Sequence, residues 1–198
     1  MIPSVTPYRS PLPALTSERL TSLSDTMFGV AMTLLASTLV PHIDDLKGAP
    51  LEMIKSLREP LLAVALSFAI SAIYWISQQR RLAMTTVLTP GQTLLHMIFL
   101  FLIVLLPIST ALFAHGASEA ASVAIFGAHI TLIAAANLAL WIGVHTRVPA
   151  WRAVVPAALA LAVIGGGFLV GLFHPTLAQY VWYAALLIGP VIRRTGIV

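Results

Sequence analysis

Asp25 makes the heaviest demand on its surroundings, because it is the only acid inside the long apolar run Leu20–Val40. A carboxylate within a bilayer costs about 3 kcal/mol unless it is paired or hydrated. Two readings are open: it caps the start of a helix by accepting backbone N–H bonds near the interface, or it pairs with side chains such as Arg19 and Ser24. Further along, Val30, Thr33, Leu34 and Ser37 recur at intervals of three and four residues and therefore share one stripe of a helix. The stripe mixes hydroxyls with branched apolar groups. On a membrane helix small residues ordinarily mean close packing, and Gly29, Ala31 and Ala36 add to that reading.

Other chemistry finds little support. Of the histidines at 42, 96, 115, 129, 145 and 174, no two lie i, i+4 on one helix, so no metal or haem site is expected. His129 and Asn137, eight residues apart, are ordinary donors and acceptors between helices. Gly165-Gly166-Gly167 stands within an apolar run with no following Lys, which points to close packing or a kink rather than a phosphate loop. Cysteine is absent, which excludes disulfides, thiolate metal sites and thiol nucleophiles. No nucleophile, base and metal ligands cluster, so neither an enzyme nor a resident cofactor is expected.

The elements that must position these residues are membrane helices. Of the 198 residues 59% are hydrophobic and 9% charged, against roughly 25% charged in a soluble domain. With mean hydropathy at +0.94, most of the exterior must face lipid. Apolar runs near 20–40, 60–77, 93–114, 121–144, 154–173 and 177–192 predict an all-α integral membrane protein of about six spans. Residues 1–16 read as a short polar tail with no apolar core for a signal peptide, and 17–198 as one six-helix domain. Pro50–Leu57, in the charged first connection, reads as a brief interfacial helix. Eight basic residues, Arg9, Arg19, Arg80, Arg81, Arg147, Arg152, Arg193 and Arg194, fall on one side, and Lys47, Lys55 and Arg58 on the other. That asymmetry predicts that both termini are cytoplasmic, and the spread of the basic residues among short connections argues for topology rather than nucleic-acid binding. No internal repeat is evident, which favours several copies around a shared path over a transporter built from repeats.

Arg19-x-x-x-Leu23-Ser24-Asp25 resembles the R-x-x-x-F-S-D signature of the TMEM175 potassium channels, with Leu23 in place of Phe. Tyr74-Trp75 is similar to that family's Tyr-Trp pair, and Leu94–Pro107 with Ile108-Ser109-Thr110-Ala111-Leu112 resembles its third helix. The resemblance implies a homotetramer in which the first helix of each subunit lines a central pore. It places Val30, Leu34 and Ser37 on the pore with Thr33 beside them, Ser37 replacing a bulky apolar residue. It also implies a structural network of Arg19, Ser24, Asp25, Gln78 and His96, in which Gln78 stands where the family has His and His96 where it has Asn. The implied function is a leak-like potassium-selective channel of the cell (inner) membrane, permeated by monovalent cations, with no cofactor beyond the permeant ion. A proton-conducting or proton-coupled transporter using Asp25 and His96 as a relay is the alternative, and it requires both groups to change protonation.

Overall fold

The computed structural model describes residues 16–40, 50–85, 88–116, 119–144 and 150–194. The tail expected over residues 1–16 falls almost entirely outside them, as do Arg9, His42, Asp44, Asp45, Lys47, His145 and Arg147. The described chain is all helical: α1 (Ser17–Ser37), α2 (Pro50–Ala83), α3 (Pro90–His115), α4 (Ala120–Gly143), α5 (Ala150–Gly171) and α6 (Pro175–Arg194). By length and composition α2, α3, α4 and α5 are each able to cross a membrane. Large apolar side chains such as Phe101, Ile108, Leu132 and Leu169 are exposed around the bundle, a surface that only lipid or another apolar chain can cover. This is a membrane protein.

Local signals set the helix limits. Before α3, the Thr89 hydroxyl accepts from the backbone N–H of Gln92 (3.3 Å), and the Gln92 side chain accepts from the backbone N–H of Thr89 (2.9 Å). Pro90 then opens the helix, where its missing N–H leaves nothing unpaired. The Gln92 amide also donates to the Gly143 carbonyl, tying the start of α3 to the end of α4. α1 ends at Ser37, before the Val40 limit read from hydropathy, in a turn at Thr38 and Leu39.

α2 departs most from expectation. Pro50–Leu57 is not a separate interfacial helix but the first part of a continuous 34-residue helix with Pro60 inside it. Proline removes one backbone hydrogen bond without forcing a break when the chain on both sides keeps helical geometry. α2 also runs past Ser77 to Ala83, because Gln78 and Arg81 are buried in the bundle rather than facing water. Arg81, read as a topology charge, is 1% exposed. Its Nη1 donates to Asn137 Oδ1 (3.1 Å) on α4, and its guanidinium lies 5.8 Å from the Phe99 ring centre and 5.9 Å from that of Trp141. Those aromatic faces stabilise a cation that water no longer solvates.

Successive helices pack side by side along the chain, and α1 closes the near end against α2 and α3. Phe99 centres that end, within 6.1 Å of Phe28 and 6.1 Å of Tyr74, ring centre to ring centre. At the other end Phe113 and Phe126 stack at 4.6 Å, with Trp182 edge-on to both. Trp182 sits where two glycines make room: a Cβ on Gly127 would come within 3.0 Å of its ring, and one on Gly167 would run into its Nε1. The triple glycine is therefore split by use, since Gly167 seats Trp182 while Gly166 meets nothing within 4 Å.

Candidate functional site

α1 has two faces of different character. Leu20, Ser24, Phe28, Ala31 and Leu35, spaced by four, four, three and four, are buried against α2 and α3. The other side is open. Val30 is 49% and Leu34 44% exposed, and Thr33 and Ser37 beside them are exposed too. The stripe read from spacing is thus one continuous, uncovered face of the chain.

The hydroxyls on that face are already oriented. Thr33 Oγ1 donates to the Val30 carbonyl (2.8 Å) and Ser37 Oγ to the Leu34 carbonyl (2.7 Å). Each hydroxyl hydrogen is thereby used inside the helix, and the oxygen lone pairs are left outward as acceptors. Outward hydroxyl oxygens at Thr33 and Ser37, alternating along the face with the Val30 and Leu34 side chains, can ligate a cation; they offer no free donor to an anion.

Behind and below this face lie the residues of the signature. α1 begins at Ser17, two turns before Asp25, so Asp25 does not cap it. Asp25 instead accepts from two side chains of α2: Trp75 Nε1 (2.8 Å) and the amide of Gln79. Both bonds end on Oδ1. The carboxylate edges a shallow groove shared with Thr21, Ser22 and Thr26, where water can hydrate its second oxygen. Ser24 turns inward, donating to the Leu20 carbonyl (2.6 Å) and meeting His96 Nε2 of α3 at 3.1 Å. α1 is thus tied through adjacent residues to two helices, Asp25 to α2 and Ser24 to α3.

Of the remaining network residues, Arg19 is exposed at the start of α1, and Gln78 is fully buried with neither amide atom partnered. Gln79, not singled out in the sequence, holds Asp25; it lies four residues after Trp75 and hence on the same side of α2. A second polar cluster joins α2 to α4, where Asn137 bonds between helices as its residue type predicts: Asn137 Oδ1 accepts from Ser77 Oγ (3.1 Å) as well as Arg81, and Trp141 Nε1 donates to Ser77 Oγ (3.0 Å). His129 is not part of it. Its Nδ1 lies 2.7 Å from Ser109 Oγ, and its Nε2 donates to the Leu102 carbonyl (3.0 Å), close to where Pro107 interrupts the backbone bonding of α3. Among the described residues no three His, Asp or Glu side chains gather as metal ligands.

Comparison with known proteins gives two matches. The family model described as "Endosomal/lysosomal potassium channel TMEM175" matches residues 19–107, which take in most of α1, all of α2 and most of α3. The fold is similar to the crystal structure of a lysosomal potassium-selective channel TMEM175 homolog from Chamaesiphon minutus, with a TM-score of 0.76 at 19% identity, covering 88% of this chain and 96% of that one. No curated protein matches the chain.

Proposed function

We propose that this chain, whose residues 19–107 match the TMEM175 family model, is a subunit of a potassium channel whose pore is lined by α1. One observation carries the reading: the Val30, Thr33, Leu34 and Ser37 face is uncovered in the single subunit, while the opposite face of α1 is fully packed. Four copies arranged about an axis cover that face and enclose a path. Val30 and Leu34 then form apolar rings that hinder ion passage by excluding water, and the Thr33 and Ser37 oxygens supply ligands that replace part of the ion's hydration. Ser37 makes the outer ring wider and more polar than a bulky apolar residue would. Asp25 and Ser24 act at a distance from the ion, holding α1 against α2 and α3 so that the four pore helices share one register.

The channel is passive, needs no cofactor beyond the permeant cation, and lies in the cell (inner) membrane with both termini cytoplasmic. That orientation rests on the asymmetry of Arg and Lys, with Arg81 no longer counted among the exposed charges.

Purified protein in liposomes under a potassium gradient tests the proposal. Leu34→Ala widens the apolar ring and raises flux; Thr33→Ala removes a ligand and lowers the preference for potassium over sodium. Unchanged flux and selectivity in both variants, with tetramers intact, overturns a pore on α1. Asp25→Asn separates the proton relay, which it would stop, from an anchoring role, in which flux persists while less tetramer survives purification.

A further inference from the structure

We propose that each subunit holds a sealed cluster of bound water between α1, α2 and α3, bridging His96, Gln78 and Arg81. The site begins with a stripe along α2: Ser67, Ser71, Tyr74, Gln78 and Arg81, spaced four, three, four and three, all turned into the bundle and each at most 3% exposed. The ends of the stripe are bonded, Ser67 Oγ meeting Thr110 Oγ1 at 2.7 Å and Arg81 Nη1 donating to Asn137. The middle is not. Ser71 Oγ, Tyr74 Oη, both amide atoms of Gln78, Arg81 Nη2 and, on α3, His96 Nδ1 are buried with no partner among the described residues.

Four of these residues share one neighbourhood. Tyr74 (6.1 Å), His96 (6.2 Å) and the Arg81 guanidinium (5.8 Å) all surround the Phe99 ring, and Gln78 lies one turn from both Tyr74 and Arg81 on the same face of α2. Buried polar groups are satisfied in nearly every native structure, so a group of this size implies something that bonds to it.

The signs of the unpartnered atoms identify the ligand. Ser24 has one hydroxyl hydrogen and donates it to the Leu20 carbonyl, so at the Ser24–His96 contact Nε2 of His96 is the donor. In the neutral imidazole Nδ1 is then a bare acceptor. Gln78 Oε1 is a second acceptor, whereas Gln78 Nε2 and Arg81 Nη2 are donors. An anion satisfies only the donors and a cation only the acceptors. Water satisfies both, and two to four polar partners are what a buried water ordinarily has. Through His96 and Ser24 the cluster reaches the packed back of α1, the helix whose open face bears Val30 and Leu34.

X-ray hydroxyl-radical footprinting of the full chain in lipid nanodiscs tests this directly, because radicals formed from bound water oxidise the side chains beside it even when bulk solvent is excluded. Phe99 is expected to be modified much faster than Phe113 and Phe126, which are equally buried but stacked on each other. After rapid mixing into oxygen-18 water, label at Phe99 and Tyr74 lags behind label at exposed Tyr180. In the double variant Gln78→Leu, His96→Phe the Phe99 modification falls to the Phe113 level. Phe99 as unreactive as Phe113 in the unsubstituted protein overturns the cluster and leaves direct pairing of Gln78 with His96 as the arrangement; this result is independent of whether the chain conducts potassium.

Discussion

Asp25 carries two donors on one oxygen, and that geometry distinguishes its charge from its role as an acceptor. Asn keeps an oxygen in the same place but turns two charge-assisted bonds into neutral ones, which are roughly half as strong. Asp25→Asn is therefore expected to lower the melting temperature of the detergent-solubilised protein by roughly 3 °C, and Asp25→Ala by about twice that, a scale set by the two to four degrees per kcal/mol typical of a chain this size. Equal shifts for the two variants would mean that the charge, not the acceptor, holds α1 to α2. Asn137 is a stricter case, since it is buried and its oxygen accepts from both Arg81 and Ser77. Asn137→Leu strands a buried cation and costs about 3 kcal/mol, measured by unfolding in mixed micelles. The pairing of Asp25 with α2 was half legible in the sequence: Trp75 stood out within a motif, but which glutamine would reach across depended on how α2 is rotated, and Gln79 takes the place while Gln78 turns inward.

Among the elements, α5 and α6 meet through a fit of ring to backbone. Gly167 lies against Trp182, whose Nε1 donates to the Ile164 carbonyl (3.2 Å), so an added methyl has no room. Gly167→Ala is expected to cost about 2 kcal/mol through overpacking, whereas Gly166→Ala, facing open space, gains about 0.5–1 kcal/mol from helix propensity. Matching losses for the two would show that flexibility of the glycine run, not the seat of Trp182, is what matters. The apolar run alone located α5, but it could not say which of three consecutive glycines seats a neighbour's ring, because that depends on a side chain at least fifteen residues away in another helix.

For the whole molecule the decisive quantity is whether copies meet, and through which helix. The chain contains no cysteine, so single cysteines can be placed without altering a background. If α1 surrounds the axis, Leu34→Cys forms disulfide-linked dimers on mild oxidation, since bridged residues must bring their Cα atoms within about 7 Å. Leu132→Cys, on the exposed side of α4 and 56% exposed, stays monomeric on a non-reducing gel. The reverse pattern would put α4 at the contact between copies and α1 toward lipid. At the same scale, if Ser37 faces the path, Ser37→Leu adds bulk there and is expected to reduce potassium flux in liposomes; flux equal to the unsubstituted protein would place Ser37 off the path.

The amino-acid sequence by itself determined the membrane class, the helical order and the stripe of Val30, Thr33, Leu34 and Ser37, because hydropathy over some twenty residues and helical periodicity are local properties. It also carried the signature around Ser24 and Asp25. Tertiary structure alone decided that Arg81 is buried against Phe99 and Trp141, that α2 runs unbroken through Pro60, and that Asp25 is held by Gln79 while Gln78 turns inward. Each of these depends on what another helix presents at a given height and rotation. A charge reads the same in one dimension whether water or an aromatic face receives it, and only packing distinguishes the two.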